Sequence, residues 1–190
     1  MDEKKDRIIE IAQQIFARFG IRKSTMDEIA KMARMGKATL YYYFKSKEDI
    51  FAEVIKKESR TLKQKTIEAI LNADTPQEQI SAYVHTRMKH LKELSNYYNT
   101  LTDEYMEHFS FVERERVEFT EYEINTLTGI LNSGIEKGVF DLEDVQLTAK
   151  MITIALKGLE YPLLVEERKE NLEPKIDAML NILFKGMEKR

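Results

Sequence analysis

The sequence contains no cysteine, and it has only seven glycines and three prolines among 190 residues. Without cysteine the chain can form no disulfide, no thiolate nucleophile and no cysteine-ligated zinc site. Because glycine and proline are scarce, few positions interrupt regular structure. The most apolar stretch, Met151–Leu156, is far too short to cross a bilayer. Together with the charged start MDEKKDR, these features predict a soluble cytoplasmic protein that is not exported and has no membrane partner.

Candidate catalytic and metal-binding groups are also few. No two of the three histidines, His85, His90 and His108, are three or four residues apart, the spacing that puts two ligands on one helix face. Carboxylate-bridged metal bundles need repeated Glu-x-x-His pairs, and the sequence has none. We therefore expect no enzyme, no catalytic residue, no metal site and no cofactor.

Charge is distributed unevenly along the chain, although the net charge is only -3. Residues 1–65 carry 16 Lys and Arg against 10 Asp and Glu, a balance of +6. Residues 66–190 carry 14 against 23, a balance of -9. A basic N-terminal part on an acidic remainder offers one defined end to a polyanion such as DNA. By itself the asymmetry is weak, because helical proteins often segregate charge on solvated faces.

Apolar residues recur at helical spacing from end to end, and we predict an all-α protein of about nine helices without a strand. The first helix covers residues 5–19, and Gly20 is its expected C-cap. A long helix runs from Lys47 to about Leu71, and its middle, KKESRTLKQK, is poor in apolar residues, as in a strut between two domains. Further helices are expected at about 76–93, 95–109, 111–137, Asp141 to at least Glu160, and 173–187.

The stretch from Thr25 to Lys47 reads as two short helices joined by a tight turn. Thr25 and Glu28 have the spacing of a capping box, and Gly36 interrupts the apolar pattern before a second helix begins at about Lys37. In this second helix only Leu40 and Phe44 form an inward face. The three tyrosines at 41–43 point about 100° apart around the helix, so they cannot all be core residues. Their phenols, with Lys37 and Thr39, suit phosphate oxygens and base edges.

The run GKATLYYYFKSKEDIF, preceded by TMDEIAKMA, resembles the helix-turn-helix of the TetR family of bacterial transcriptional repressors over about Ile8 to Phe51. Arg34 stands where the family usually has Gly, and Gly36 where it usually has Ser or Thr. The resemblance implies a three-helix DNA-binding domain at residues 1–46 and a helical ligand-binding and dimerisation domain at residues 47–190. The positions we expect to contact double-stranded DNA are Thr25, Arg34, Lys37, Ala38, Thr39, Tyr41, Tyr42, Tyr43 and Lys47.

Two alternatives stay open for this segment. The tyrosines can be packing or interface aromatics, which such clusters more often are. The chain can also be a helical adaptor that binds only proteins, in which case removal of Lys37 and Tyr42 leaves its function intact.

Aromatic residues and methionines are enriched between Tyr83 and Tyr122, and they suit an adaptable pocket wall as well as an ordinary bundle core. The resemblance favours a pocket, because such regulators usually hold a small molecule in this half. We expect a small hydrophobic effector, such as a fatty acid or acyl thioester, with Arg87 or Arg114 anchoring an anionic head group. The candidate lining residues are Tyr83, Arg87, Tyr98, Tyr105, Met106, Phe109, Phe119, Tyr122, Met151 and Tyr161.

The penultimate helix is apolar on two faces, one that includes Ile152 and Leu159 and one that includes Leu147, Met151 and Ile154. One face can fill the core while the other meets a partner; a fully buried helix in a monomer is the alternative. With the last helix it resembles the pair that forms the TetR-family dimer interface. A twofold dimer would place two recognition helices about one DNA turn apart. The sequence therefore predicts a homodimeric, ligand-responsive repressor of a palindromic operator.

Overall fold

The computed structural model describes residues 2–97, 110–161, 171 and 173–188 of the chain. Within them the protein is helical, and the only extended pairing is an isolated bridge between Phe140 and Glu188. Residues 110–115 belong to a helix that we number α6. The other helices are α1 (Glu3–Lys23), α2 (Met26–Met32), α3 (Lys37–Tyr43), α4 (Lys47–Leu71), α5 (Pro76–Tyr97), α7 (Val117–Glu136), α8 (Val145–Tyr161) and α9 (Glu173–Met187). The predicted all-α class is confirmed.

Three helices begin at reciprocal caps whose residues are spaced as the sequence suggests. The hydroxyl of Thr25 accepts from the Glu28 amide, and the Glu28 carboxylate accepts from the Thr25 amide. Ser46 and Asp49 make the same exchange at 3.1 Å in both directions before α4. The pair Thr75 and Glu78 repeats it at the start of α5. Each exchange satisfies backbone amides that have no partner inside the helix, which fixes where the helix starts.

A first compact unit comprises the described residues of Met1–Arg60 and Leu94–Val117. Its core forms where the apolar stripe of α1 meets α2, α3 and the first turns of α4. The Phe16 and Phe51 rings meet edge to face at 5.5 Å, and Phe51 also stacks on Phe111 at 5.9 Å. The buried residues of this core are Ile8, Ile9, Ala12, Ile15, Phe16, Ala17, Ile21, Ile29, Ala30, Leu40, Phe44, Ile50, Phe51, Val54 and Ile55. The helix-turn-helix thus rests on a well-packed support.

The second compact unit comprises the described residues of Thr61–Glu93 and Glu118–Arg190. Its core includes Ile80 and Tyr83 from α5, Leu127 from α7 and Leu156 from α8, all within 1% of complete burial. After α7 the ring of Phe140 packs directly on Gly134, and a Cβ at Gly134 would overlap that ring. A side chain at position 134 would therefore displace Phe140 from the core.

Several predicted boundaries need correction. The helix expected to start at Asp141 begins at Val145, because Asp144 accepts a hydrogen bond from the Leu147 amide at 2.9 Å and acts as its N-cap. The Asp141 amide instead donates to the Met187 carbonyl at 2.9 Å, beside the Phe140–Glu188 bridge. The single helix expected at 111–137 is interrupted at Arg116. The helix expected at 76–93 continues to Tyr97, so the separation expected at residue 94 is wrong, and residues 98–109 lie outside the described residues.

Helix α4 contributes Lys47–Arg60 to the first unit and Thr61–Leu71 to the second. Its predicted bounds are confirmed. The compact units describe packing, whereas the division of DNA-binding and ligand-binding roles at residues 46 and 47 stays a prediction. Among the described residues, no helix is long and apolar enough to span a bilayer.

Candidate nucleic-acid interface

The turn between α2 and α3 is a helix C-cap with an unusual residue at its key position. The Met35 amide donates to the Ala30 carbonyl at 3.0 Å and the Arg34 amide to the Lys31 carbonyl at 3.1 Å, the paired bonds of a Schellman motif. Arg34 has φ 55°, the left-handed conformation that glycine normally supplies at this position. Arg34 stands where the TetR pattern usually has Gly, so the chain keeps the turn geometry and accepts roughly 1 kcal/mol of backbone strain.

The strained turn leads into α3, which is only seven residues long. Gly36 is its N-cap and provides no side-chain hydrogen bond. Leu40 is fully buried and Phe44, which ends the helix, is 5% exposed, so the expected inward face is confirmed. Tyr42 is 83% exposed and Tyr41 is 49% exposed. A helix held by two apolar anchors thus presents large polar aromatics to the outside.

The other expected contact residues surround this face of α3. Thr25 and Ala38 are exposed, whereas Thr39 and Tyr43 are half-buried. The Tyr43 hydroxyl bonds to the carboxylate of Asp2, which raises the pKa of Tyr43 and lowers that of Asp2. Lys37 is exposed and forms an ion pair with Asp27. Because both side chains are exposed, this pair holds Lys37 only weakly and leaves it able to exchange Asp27 for a phosphate.

Lys47 has a different environment from the one the sequence suggested. Its ammonium donates to the carbonyl oxygens of Ile21 at 2.8 Å, Arg22 at 3.2 Å and Ser24 at 3.2 Å. An ammonium has three donors and no acceptor. The three backbone carbonyls therefore use all three donors within the protein, and the expected contact of Lys47 with DNA stays a prediction.

In the second unit, two of the expected ligand-binding residues converge on a carboxylate that sequence reasoning missed. The Tyr83 hydroxyl and the Arg87 Nε both donate to Glu123 Oε1, each at 2.6 Å. Arg87 Nη2 also donates to Glu160 Oε1. Arg87 and Glu123 are fully buried, and Glu160 is 4% exposed. This buried charged cluster, consisting of Tyr83, Arg87, Glu123 and Glu160, joins α5, α7 and α8.

The cluster determines the electrostatics of Arg87. Burial alone would lower the pKa of Arg87, but the charges of Glu160 and Glu123 outweigh it and raise that pKa. The pKa of Tyr83 is raised well above its ordinary value, first by burial and then by the charge of Glu123. Arg87 therefore stays charged, and two carboxylates already balance it. The expected role of Arg87 as anchor for an anionic head group is not supported, because a third anion would meet a net negative cluster.

Three of the remaining expected pocket residues, Phe119, Tyr122 and Met151, lie in the described part of the chain. Phe119 is buried and packs against the half-buried Tyr122, with ring centroids 5.8 Å apart. Met151 is 47% exposed on the outer face of α8. Arg114, the second candidate anchor, is exposed and lies over the Phe111 ring. Outside the described part of the chain lie Tyr98, Tyr105, Met106, Phe109 and the side chain of Tyr161.

The sequence carried a signal for Glu123 and Glu160. On α7, Glu123 lies four residues after Phe119 and four before Leu127, both buried, so a carboxylate occupies a core position. On α8, Glu160 follows the buried Leu156 by four residues. Charged residues in apolar stripes of different helices are expected to pair. In the described part of the chain, no three His, Cys, Asp or Glu side chains are grouped so that they could hold a metal ion.

The packed helix pair, its tight turn and the exposed α3 face define a helix-turn-helix protein of the kind that binds DNA. Residues 8–54 match the family described as bacterial regulatory proteins, tetR family. Residues 8–54 are thus a DNA-binding domain of that family, and the chain as a whole is similar to TetR-family transcriptional regulators.

Full-length relatives agree with this assignment. The chain is 26% identical to the fatty acid metabolism regulator protein of Bacillus subtilis strain 168, over 97% of this chain and 95% of that protein. An uncharacterized HTH-type regulator of the same organism, YhgD, is 41% identical, but the match spans only 36% of each chain. A crystal structure of a transcriptional regulator from Cytophaga hutchinsonii has 28% identity and a TM-score of 0.81 over 99% of this chain and 100% of that one.

Proposed function

We propose that the protein is a homodimeric repressor that binds a palindromic operator and releases it when a small apolar or acyl-type effector binds. The observation that carries the proposal is the composition of α3. Helix α3 is seven residues long and is anchored by Leu40 and Phe44. Among the large hydrophobic residues that the structure describes, Tyr42 is the most exposed. Tyr41 and Tyr42 are exposed next to each other on α3, and a DNA groove offers both apolar surface for their rings and hydrogen-bonding groups for their hydroxyls.

The surroundings of α3 favour DNA over a protein partner. Thr25 at the start of α2 and Arg34 in the turn can reach phosphates on either side of a groove that admits α3. Arg34 retains a charge at a position where glycine would relieve strain, which fits a phosphate contact. The proposed contact residues are Thr25, Arg34, Lys37, Ala38, Thr39, Tyr41, Tyr42 and Tyr43.

We test the DNA-binding function by selecting bound duplexes from a random library with the purified protein. The expected result is an enriched palindrome whose half-sites lie about one helical turn apart. Tyr42→Ala removes the most exposed α3 side chain without touching the core, so it should fold normally and lose the enrichment. A matched control is Tyr122→Phe, which removes a hydroxyl bonded to Thr66 in the second unit and should retain the enrichment.

Absence of enrichment with folded wild-type protein would reject the DNA-binding proposal and favour the protein-binding adaptor. Equal enrichment with wild type and Tyr42→Ala would leave the regulator function standing but remove α3 from its interface.

The proposed effector class is based on the relatives. A structural neighbour with 25% identity and a TM-score of 0.75, covering 95% of this chain and 98% of that one, is the regulator FadR from Bacillus subtilis in complex with stearoyl-CoA. The second unit of the present chain is rich in apolar side chains that suit an acyl chain. Because carboxylates neutralise Arg87, we propose that the acyl part enters this unit and that the anionic head group stays outside the buried charged cluster.

Stearoyl-CoA should raise the melting temperature of the protein, whereas coenzyme A alone should not. At a ligand concentration 100 times its Kd, binding adds about 2.7 kcal/mol, which corresponds to a rise of about 5 °C or more for a chain of this size. The same ligand should weaken binding to the selected duplex by about 5- to 150-fold, the usual range of allosteric coupling. Stabilisation by a cationic amphiphile of equal chain length, with none by stearoyl-CoA or stearate, would overturn the acyl assignment.

A further inference from the structure

The end of α1 is held by a lysine that lies far away in sequence. Gly20, with φ 78°, breaks the regular course of α1, and one further turn leads to the Ser24 cap. The Ser24 hydroxyl donates to the Gly20 carbonyl at 2.5 Å, and the Ser24 amide donates to the Ile21 carbonyl at 3.3 Å. The last carbonyls of a helix have no partner inside it and require donors from elsewhere.

Lys47, the first residue of α4, provides these donors. Its ammonium contacts the carbonyls of Ile21, Arg22 and Ser24 at 2.8 to 3.2 Å. A positive group is also favoured at a helix C-terminus, where the helix dipole is negative. We name Lys47 and these three carbonyls the α1–α4 clamp.

The three carbonyls of the α1–α4 clamp directly precede the helix-turn-helix in the sequence. Ser24, whose carbonyl accepts from Lys47, is followed by Thr25, the N-cap of α2. The position of Thr25 therefore depends on a chain segment that Lys47 holds against the start of α4. Ser46 and Asp49 cap α4 on either side of Lys47 and fix the backbone from which the ammonium extends.

We propose that Lys47 is a positioning residue for the DNA interface, which acts by fixing the α1–α2 connection and not by contacting phosphate. This role rests on the proposed DNA-binding function. A lysine whose three donors are used inside the protein adds little to the ion release that accompanies DNA binding. Removing Lys47 should therefore leave the salt dependence of DNA binding unchanged.

The test compares Lys47→Arg and Lys47→Met with wild type in two measurements. Amide hydrogen exchange of the free protein should become faster at residues 22–26 in both variants, because neither side chain can donate to three carbonyls that converge on one point. Binding to the selected duplex should weaken by about tenfold in both, the equivalent of one charge-assisted hydrogen bond. The slope of log affinity against log salt should stay at the wild-type value.

Lys37→Met is the matched control, since Lys37 is an exposed phosphate candidate. Its salt slope should decrease by about 1, and its exchange at residues 22–26 should equal that of wild type. Wild-type affinity in Lys47→Arg, together with a slope lowered by about 1 in Lys47→Met, would identify a phosphate contact and overturn the proposal. Unchanged exchange in both Lys47 variants would also overturn it. The exchange measurement needs no DNA, so failure of the DNA-binding function itself is detected separately by the duplex selection.

Discussion

Arg87→Met is expected to lower the free energy of unfolding by about 3 to 5 kcal/mol, the usual cost of removing one partner from a buried ion pair. The methionine fills most of the arginine volume, so the loss arises from charge more than from a cavity. Glu123 and Glu160 would remain buried without their cation, and each must then keep its charge at a high desolvation cost or take up a proton.

The loss should depend on pH in a definite direction. In Arg87→Met both carboxyl groups would be buried without a cation, and burial without a cation favours the neutral form of a carboxyl group. The charged forms of these groups therefore destabilise the fold at high pH, and this cost decreases as the pH falls and the buried groups take up protons. The difference from wild type should therefore be larger at pH 8 than at pH 5. Urea denaturation at both pH values measures it.

Two controls separate this explanation from general damage. Lys37→Met breaks the exposed pair of Lys37 with Asp27 and should cost at most about 1 kcal/mol. Adding Glu123→Gln and Glu160→Gln to Arg87→Met should recover part of the lost stability, because it removes the unpaired charges. A loss below about 1 kcal/mol in Arg87→Met would contradict this explanation. It would show that the buried Glu123 and Glu160 do not depend on the charge of Arg87.

The sequence predicted local structure well because local rules decide it. Caps such as Thr25 with Glu28, and Thr75 with Glu78, involve atoms three residues apart, so they follow from the order of residues alone. Helix α4 was predicted with its correct bounds because a cap opens it and a polar loop follows it. The inward positions of Leu40 and Phe44 followed from helical periodicity in the same way.

Tertiary pairing was much harder to predict. The Lys47 ammonium reaches carbonyls more than 20 residues earlier, and backbone carbonyls leave no trace in a sequence pattern. Arg87 was read as an anchor for a ligand because its partners lie 36 and 73 residues away, on helices whose adjacency the sequence does not reveal. Charge balance inside a core is therefore the property that required the structure.

Ile154→Arg is expected to convert the protein from a dimer to a monomer. Helix α8 buries Ile152 and Leu156 but leaves Leu147, Met151 and Ile154 about half exposed, so the predicted two-faced character is confirmed. Near them in sequence, Gly158 is also exposed and offers no side chain to hold two helices apart. We propose that this outer face of α8 meets the same face of a second copy.

In a twofold interface the substituted residue meets its own patch on the partner, so two arginines would be brought into one apolar contact. Each would be desolvated without a counter-ion, at a cost of several kcal/mol. Because a dimer binds both half-sites as one unit, its separation should also weaken operator binding by about 100-fold or more. The core of α8 is unchanged, so the melting curve of the variant should remain cooperative.

Sedimentation velocity at micromolar concentration measures the assembly, and titration of the selected duplex measures the affinity. Asn132→Arg, which adds the same charge at an exposed position of α7, should leave both at their wild-type values. A wild-type monomer would reject the proposed dimer. A dimer that persists in Ile154→Arg would place the interface elsewhere and leave the exposed face of α8 for another partner. Dimer loss without loss of operator affinity would show that one recognition helix suffices, which contradicts the palindromic operator.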